Sequence, residues 1–437
     1  MKHRRPHRPT PKPARSALVQ IEKPIYGGAF LARLAGKATF VPLTLPGEQA
    51  RIRIIEDKHS YAAGEPEEIL TPSPTRVQPR CPHFGMCGGC SYQHADYETQ
   101  LALKQQILRE TFQRAGVEAP AHIEVLAAQP WAYRNRIRLA FDPSGRVGYR
   151  ARRSHDITPI QECPIASPLL VKAALSASEL IREHTSAFKP SELSLFMNAD
   201  ATALLAGLYV RTSAMEGFNS LAAAWSDRIP ELAGIECVLQ SSAEEPSKQL
   251  ARWGRESIAY QAAGFGYRVD HGSFFQVNRW LIDALIEEVV AGHQGTLAWD
   301  LFAGVGLFAR QLASRFGEVI AVESAPASLA ALTQNLQGTT GHAISADTLS
   351  FLRSHQAGPA PDLIVVDPPR AGFGPEVTTL LATIAAPTIV YVSCDPSTLA
   401  RDLKQLVASG YAILSVTLAD LFPQTFHLET VVTLQKP

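Results

Sequence analysis

The last third of the chain alternates short apolar runs with amphipathic stretches, and the runs end on polar or acidic residues. Thr296-Leu-Ala-Trp-Asp-Leu-Phe-Ala-Gly-Val-Gly-Leu-Phe308 reads as a strand that breaks into a glycine turn and opens a helix, FARQLASRF. Further strands are expected at residues 319–323, 342–347, 362–367, 388–392 and 430–434. Strands alternating with helical segments imply a mostly parallel sheet covered on both faces. Ligands of such sheets bind at the carboxyl ends of the strands, where Glu323, Asp347, Asp367 and Cys394 fall.

Upstream, the pattern shortens to period two. In WAYRNRIRLAFDPSGRVGYRARRSH, residues 131–155, Arg134, Arg136 and Arg138 alternate with Asn135, Ile137 and Leu139. This predicts a strand with one apolar face and a row of guanidinium groups suited to phosphates or stacked bases; a merely solvated face is the plain alternative. The stretch holds seven Arg against one acid. That local excess matters because the chain as a whole is balanced, 41 Lys plus Arg against 41 Asp plus Glu, so an anionic partner must be met by a patch. Residues 1–15 carry six Lys or Arg, no acid and several prolines, the composition of a disordered arm that either is solvated or touches RNA. With 437 residues, 46% hydrophobic and 19% charged, the chain has room for two or three globular domains. No apolar run approaches the roughly 20 residues of a membrane span and no secretory core follows Met1, so the reading is cytoplasmic, without a membrane partner.

Cysteines are unevenly placed. Cys81, Cys87 and Cys90 fall within RCPHFGMCGGC, and a fourth thiol, Cys163, precedes a proline. Disulfides are not expected in the cytoplasm. Two metal readings remain, zinc on four Cys or a 4Fe–4S cluster; a tight trio with one distant partner departs from the two close pairs usual for zinc and favours iron–sulfur. Five residues separate Cys81 from Cys87, unlike the CxxxCxxC run of radical S-adenosylmethionine enzymes. Cys237 sits in an apolar run and is expected in a core.

Glycines after the first strand let a nucleotide-like ligand approach the backbone, and Glu323, ending the next strand, is placed to receive ribose hydroxyls. The third glycine of a dinucleotide fingerprint is missing, which points away from NAD and towards S-adenosylmethionine. Asp367-Pro-Pro-Arg370 stiffens a strand exit so that an Asp can hold a planar base edge. Methyltransferases acting on exocyclic amines carry an aromatic where Arg370 stands, and here the following strand delivers a cysteine.

With DLFAGVGLF, VVDPPRAGF, VSCDPSTLARDL, FHLETVVTL, Phe274-Phe-Gln-Val-Asn278 and the four-cysteine set in place, the chain from about residue 16 onwards resembles the RNA 5-methyluridine methyltransferase family, most closely its ribosomal large-subunit members. Beyond the basic tail over 1–15 that composition reads as disordered, the resemblance implies an OB-like TRAM β-barrel for RNA over 16–73, with strands in 36–47 and 50–55, a central α+β iron–sulfur domain over 74–264, and an α/β, Rossmann-like methyltransferase domain over 265–437. It implies S-adenosylmethionine and a 4Fe–4S cluster as cofactors, the cluster on Cys81, Cys87, Cys90 and Cys163. It assigns Cys394 as nucleophile and Glu429 as base, with Gln276, Phe302, Glu323 and Asp367 at the cofactor and Asp347 beside the adenine. Asp367 could instead touch the uracil. Ala303 stands where many relatives carry Cys. The expected partner is RNA, 23S rRNA ahead of tRNA, met by a monomer.

The chemistry gives that cysteine a purpose. C5 of uracil is a poor nucleophile, and a thiolate adding to C6 makes the ring an enolate whose C5 can take a methyl group. The strand end and the helix start beside Cys394 are expected to lower its pKa. A base must then remove the C5 proton. The target must be flipped out of folded RNA. Two rivals are an amino-group methyltransferase, which has no use for Cys394, and an RNA-binding assembly factor that transfers no methyl group.

Overall fold

The computed structural model describes residues 15–183, 188–240 and 248–436. Of the basic segment 1–15, all but Arg15 lies outside them. The first unit is a closed barrel in the order Ser16–Pro24, Ala29–Leu34, Lys37–Pro42, Tyr61–Thr71, Gln49–Asp57. Alternate residues point inward, so that Val19, Ile21, Phe30, Ala32, Val41, Ala50 and Ile52 form its core. Glu48 is fully buried and accepts hydrogen bonds from Arg76 Nε and Nη2 at 2.6 and 2.8 Å, which ties the barrel to the chain that leaves it.

A seven-stranded sheet follows, ordered Lys248–Gly254, Leu232–Leu239, Leu204–Val210, Glu192–Met197, Arg136–Phe141, Val147–Arg150, Ile157–Pro159. Helices Pro168–Glu183 and Phe218–Arg228 pack on it, and Cys237 is buried in that core, as its apolar surroundings predict. The arginine strand exists, but its guanidinium row does not stand free. Arg136 donates to the Ser273 carbonyl at 2.5 Å and lies over Phe196, while Arg138 lies over Tyr209 and pairs with Glu192 at 2.7 Å. Arg134 precedes the strand and is enclosed beside Tyr133. Burying neighbouring aromatics and acids gave these cations local partners.

The third unit is an eight-stranded sheet in the order Gly341–Ser345, Phe316–Glu323, Gly295–Leu301, Leu363–Val366, Thr388–Ser393, Glu429–Gln435, Ala412–Ala419, Glu124–Leu126. Its first five strands are parallel. The Leu-Ile-Val-Val strand is buried throughout because both faces are covered: Leu363 and Val365 face one core, Ile364 and Val366 the other. Two features depart from a simple reading. Glu429–Gln435 runs antiparallel to both neighbours. Residues 97–126, read with the central domain, pack on this sheet: helix Tyr97–Ala115 contributes Ile107, Leu108 and Phe112 to the second core, and Glu124–Leu126 adds the edge strand. Among the described residues no helix is long and apolar enough to cross a membrane.

Candidate active site

Three of the expected residues meet at one edge of the sheet. Asp367 follows Leu363–Val366, Cys394 follows Thr388–Ser393, and Glu429 opens the antiparallel strand. Ser393 is paired with Thr430, so the next step outward sets Cys394 opposite Glu429. Asp395 caps the following helix, Pro396–Ala408, its carboxylate accepting from Ser397 N and Thr398 N at 2.9 and 3.1 Å. Those N–H groups are therefore spent on the cap and not on the thiol. Tyr26, from a barrel turn, donates its hydroxyl to the Cys394 carbonyl at 3.4 Å.

Electrostatics here reverse one expectation. Burial, with Glu429 and Asp367 adding to it, pushes the Cys394 thiol up to about 11; Arg370 opposes this. The helix start does not lower it, since carboxylates face the sulfur. Burial pushes Asp367 up to about 7. Glu429 is held well above the carboxylate range by burial and by Asp367, against Arg370. In the ligand-free protein, alkylation of Cys394 by iodoacetamide, read from the mass of its peptide, should therefore rise about tenfold per pH unit from pH 7 to 9.5. A plateau near pH 7 would show that the thiol is not raised.

The cofactor-side residues are placed by the glycine turn. Glu323 Oε2 accepts from Gly304 N at 2.8 Å, and its Oε1 accepts from Ser324 N and Ala325 N at 2.7 and 2.6 Å. Phe302 sits at φ +64°, an uncommon conformation for a residue with a side chain, of the kind that concentrates at functional turns. Gly306 sits at φ +87°, a left-handed conformation that strains any residue with a side chain. Ala303 is buried, its N–H donating to Val322 O at 2.9 Å. Gln276 is buried in a loop pinned on both sides: Phe275 packs 4.5 Å from Tyr260, and Asn278 Nδ2 donates to the carbonyls of Asp420 and Leu421 at 3.3 and 3.2 Å. Asp347 is exposed at the end of its strand and caps helix Thr348–His355, accepting from Ser350 N at 2.9 Å. No hydrogen bond among the described residues joins Gln276 or Asp347 to the Cys394–Glu429 pair.

Sequence reading used Asp300 only as a strand marker. It is fully buried, its Oδ2 accepts from Ala309 N at 2.8 Å, and its Oδ1 has no partner. Burial, with Asp367 and Glu323 behind it, pushes Asp300 up to about 8. An acid inside an apolar strand was the available signal. Also missed was the buried pair Lys104–Asp420, at 2.5 Å, with Tyr97 donating to the other Asp420 oxygen at 2.8 Å. Lys104 lies in an ordinary helical sequence, and nothing local signals its burial.

Cys81, Cys87, Cys90 and Cys163 line one cavity of about 240 Å³, together with Gln93, Arg134, Tyr149 and His427. Gly89 N donates to Cys87 Sγ at 3.3 Å. Among the described residues no group of His, Cys, Asp or Glu is gathered tightly enough to hold one metal ion. A larger groove of about 640 Å³ adjoins, formed by barrel residues Gly27–Ala29, the glycines of the cysteine loop, Arg138, Arg150, Arg152, Arg153 and Phe426. Glu65, on the barrel strand Tyr61–Thr71, reaches across to pair with Arg153 at 2.8 Å.

Residues 359–437 match the tRNA (Uracil-5-)-methyltransferase family and residues 15–66 the TRAM domain. The chain is 32% identical to the 23S rRNA (uracil(1939)-C(5))-methyltransferase RlmD of Pectobacterium atrosepticum, over 96% of this chain and 93% of that one. An RNA methyltransferase of Thermotoga maritima, itself uncharacterized, is 31% identical over 96% and 98%. Among solved structures, the tRNA (uracil-54, C5)-methyltransferase of Pyrococcus abyssi, in complex with S-adenosyl-L-homocysteine, superposes with a TM-score of 0.76 at 25% identity, covering 96% of this chain and 100% of that one.

Proposed function

We propose that this chain, which belongs to the S-adenosylmethionine-dependent RNA (uracil-5-)methyltransferase family, methylates C5 of one uridine in 23S rRNA through a covalent bond between Cys394 and C6. The observation that carries the reading is the pairing of Cys394 with Glu429 across antiparallel strands, with Asp367 beside them. A uracil between the two would have a nucleophile on one side and a proton acceptor on the other. S-adenosylmethionine supplies the methyl group, and Glu323, Phe302, Gln276 and the glycine turn are the residues to hold it, with Asp347 near its adenine.

The thiol of Cys394 gives its proton to solvent as the sulfur adds to C6, and the ring electrons pass to the C4 oxygen. The enolate C5 would then take the methyl group, with S-adenosylhomocysteine as the leaving group. Glu429 removes the C5 proton, the ring double bond re-forms, and the Cys394–C6 bond breaks. The raised pKa of Glu429 makes its carboxylate a stronger base at that step. Asp367, partly buried beside it, would accept from the uracil N3–H or orient the cofactor.

RNA enters along the basic groove. The arginines along its wall, Arg138, Arg150, Arg152 and Arg153, would exchange their carboxylate partners Glu192 and Glu65 for phosphates, and the TRAM barrel closes the other side. The rRNA assignment rests on the RlmD relatives; the archaeal neighbour acts on tRNA. The decisive measurement offers purified enzyme a 23S rRNA fragment and bulk tRNA with radiolabelled donor, followed by nucleoside analysis. Label in 5-methyluridine from rRNA is expected. Label in tRNA alone would move the substrate, and label in a methylated amine would overturn the chemistry.

The four thiols fit a 4Fe–4S cluster better than zinc. They line one cavity, and a tight trio with one distant partner departs from the two close pairs usual for zinc. The cluster would hold the loop that carries them, with no redox step in methyl transfer. Protein purified without air should be brown with about four iron per chain. Cys163→Ala should lose the iron and Cys237→Ala, in its separate core, should keep it; stoichiometric zinc in place of iron would sink the assignment.

A further inference from the structure

The segment 422–428 leads into strand Glu429–Gln435 and so sets, with the pairing of Glu429 to Ala419, where Glu429 stands. One residue in it is gripped from two directions. The carbonyl of Gln424 accepts hydrogen bonds from both Ser91 N and Tyr92 N, each at 3.0 Å, and these are the two residues directly after Cys90. From the other side, helix Tyr97–Ala115 presents Gln100, whose Oε1 accepts from Gln424 N at 2.9 Å and whose Nε2 donates to Gln424 Oε1 at 3.0 Å and to Ala95 O at 2.9 Å. Both glutamines are buried, and Gln424 is held at φ +68°. Two residues further on, Phe426 meets the edge of Tyr26 at 5.8 Å, and His427, its ring 4.3 Å from Phe426, lines the cysteine cavity. None of these groups has a bond to make or break in uracil methylation.

We propose that the turn after Cys90 and Gln100 form a clamp on Gln424 that positions Glu429, so that filling the four-cysteine cavity controls removal of the C5 proton. Ser91, Tyr92 and Gln100 are positioning residues in this arrangement. When the cavity is filled, the turn after Cys90 is rigid and its two N–H groups stay aimed at one carbonyl. When it is empty, the four thiols separate, the turn relaxes, and the strand that begins at Glu429 loses its fixed entry. Cys394 and the cofactor residues sit on other elements and, among the described residues, make no hydrogen bond to Gln424, so the clamp bears first on Glu429. The proposal rests on the reading of Glu429 as the base and of the cavity as a cluster site.

The test compares full-length wild-type protein, the same protein depleted of iron by chelation, Gln100→Met and Gln424→Gly. Gln100→Met keeps the buried volume and removes all three hydrogen bonds. Gln424→Gly keeps both backbone contacts and suits the left-handed conformation. Hydrogen exchange across residues 420–430 should quicken about tenfold in the iron-depleted protein and in Gln100→Met, but not in Gln424→Gly. Breakdown of the methylated protein–RNA adduct should slow about tenfold in the same two samples, with affinity for S-adenosylhomocysteine within about twofold of wild type. Unchanged exchange in both samples refutes the clamp. So does quickened exchange with wild-type adduct breakdown, because the clamp would then not reach the base. Loss of cofactor affinity in step with activity would also refute it, as general damage. If Glu429→Gln forms no adduct at all, the reading of Glu429 fails, and the exchange measurement still decides whether the clamp exists.

Discussion

Glu429→Gln protein mixed with substrate RNA and radiolabelled methyl donor is expected to accumulate a denaturation-resistant protein–RNA adduct that already carries the methyl group. Addition of Cys394 to C6 and methyl transfer to C5 both come before the C5 proton is removed, so neither needs the carboxylate as a base. Proton removal does. An amide of the same shape cannot take the C5 proton, and the thiolate cannot leave until that proton is gone. Turnover should fall by about 10²–10⁴-fold, the usual loss on removing a general base. Cys394→Ala should give neither adduct nor product. The two variants and wild type run on one denaturing gel: an adduct in the Cys394→Ala lane would implicate another nucleophile, and Glu429→Gln turning over at the wild-type rate would implicate another base. The carboxylate sits in a buried site with Asp367 beside it, so the neutral glutamine also relieves crowding of charge, and a folded variant is expected.

Lys104→Ala is expected to cost about 3–5 kcal/mol, the penalty for leaving one member of a buried ion pair alone. Lys104 Nζ meets Asp420 Oδ1 at 2.5 Å and the Phe422 carbonyl at 3.0 Å, and both charged side chains are shut off from solvent. Removing the lysine leaves Asp420 with Tyr97 as its remaining side-chain donor and frees the chain at the start of the segment that leads to Glu429. The thermal midpoint should drop by roughly 10 °C, at about 2–4 °C per kcal/mol for a unit of this size. Lys104→Met with Asp420→Leu should recover much of the loss, since two apolar side chains carry no desolvation cost. Equal stability of Lys104→Ala and wild type would mean that the pair contributes nothing. Methyl transfer by the surviving folded fraction should still proceed, which separates this effect from that of Cys394→Ala.

The strands of the catalytic sheet were legible because each is a short apolar run whose ends are written beside it: the glycines after Leu301, the acids Glu323 and Asp367, the prolines after Asp367. The barrel and the cysteine cavity were legible through resemblance, since isolated strands such as Ala50-Arg-Ile-Arg-Ile-Ile55 fit many folds. The arginine strand was read correctly as a strand and too generously as a binding face. Its period of two is a local property, whereas the partners that occupy Arg136 and Arg138, Phe196, Glu192 and Ser273, come from distant parts of the chain.

The sequence by itself determined the order of strands and turns, the residue types at the strand ends, and the family to which those motifs belong, because apolar runs and the residues that stop them are neighbours along the chain. Only the tertiary structure decided that Glu429 stands across from Cys394, that residues 97–126 complete the catalytic sheet, and that one carbonyl of Gln424 ties the cysteine loop to the strand of the base. It also decided the direction of the Cys394 pKa. The helix start next to the cysteine argues for a lowered value, but burial above all, with the carboxylates of Glu429 and Asp367 brought in from distant parts of the chain, outweighs it.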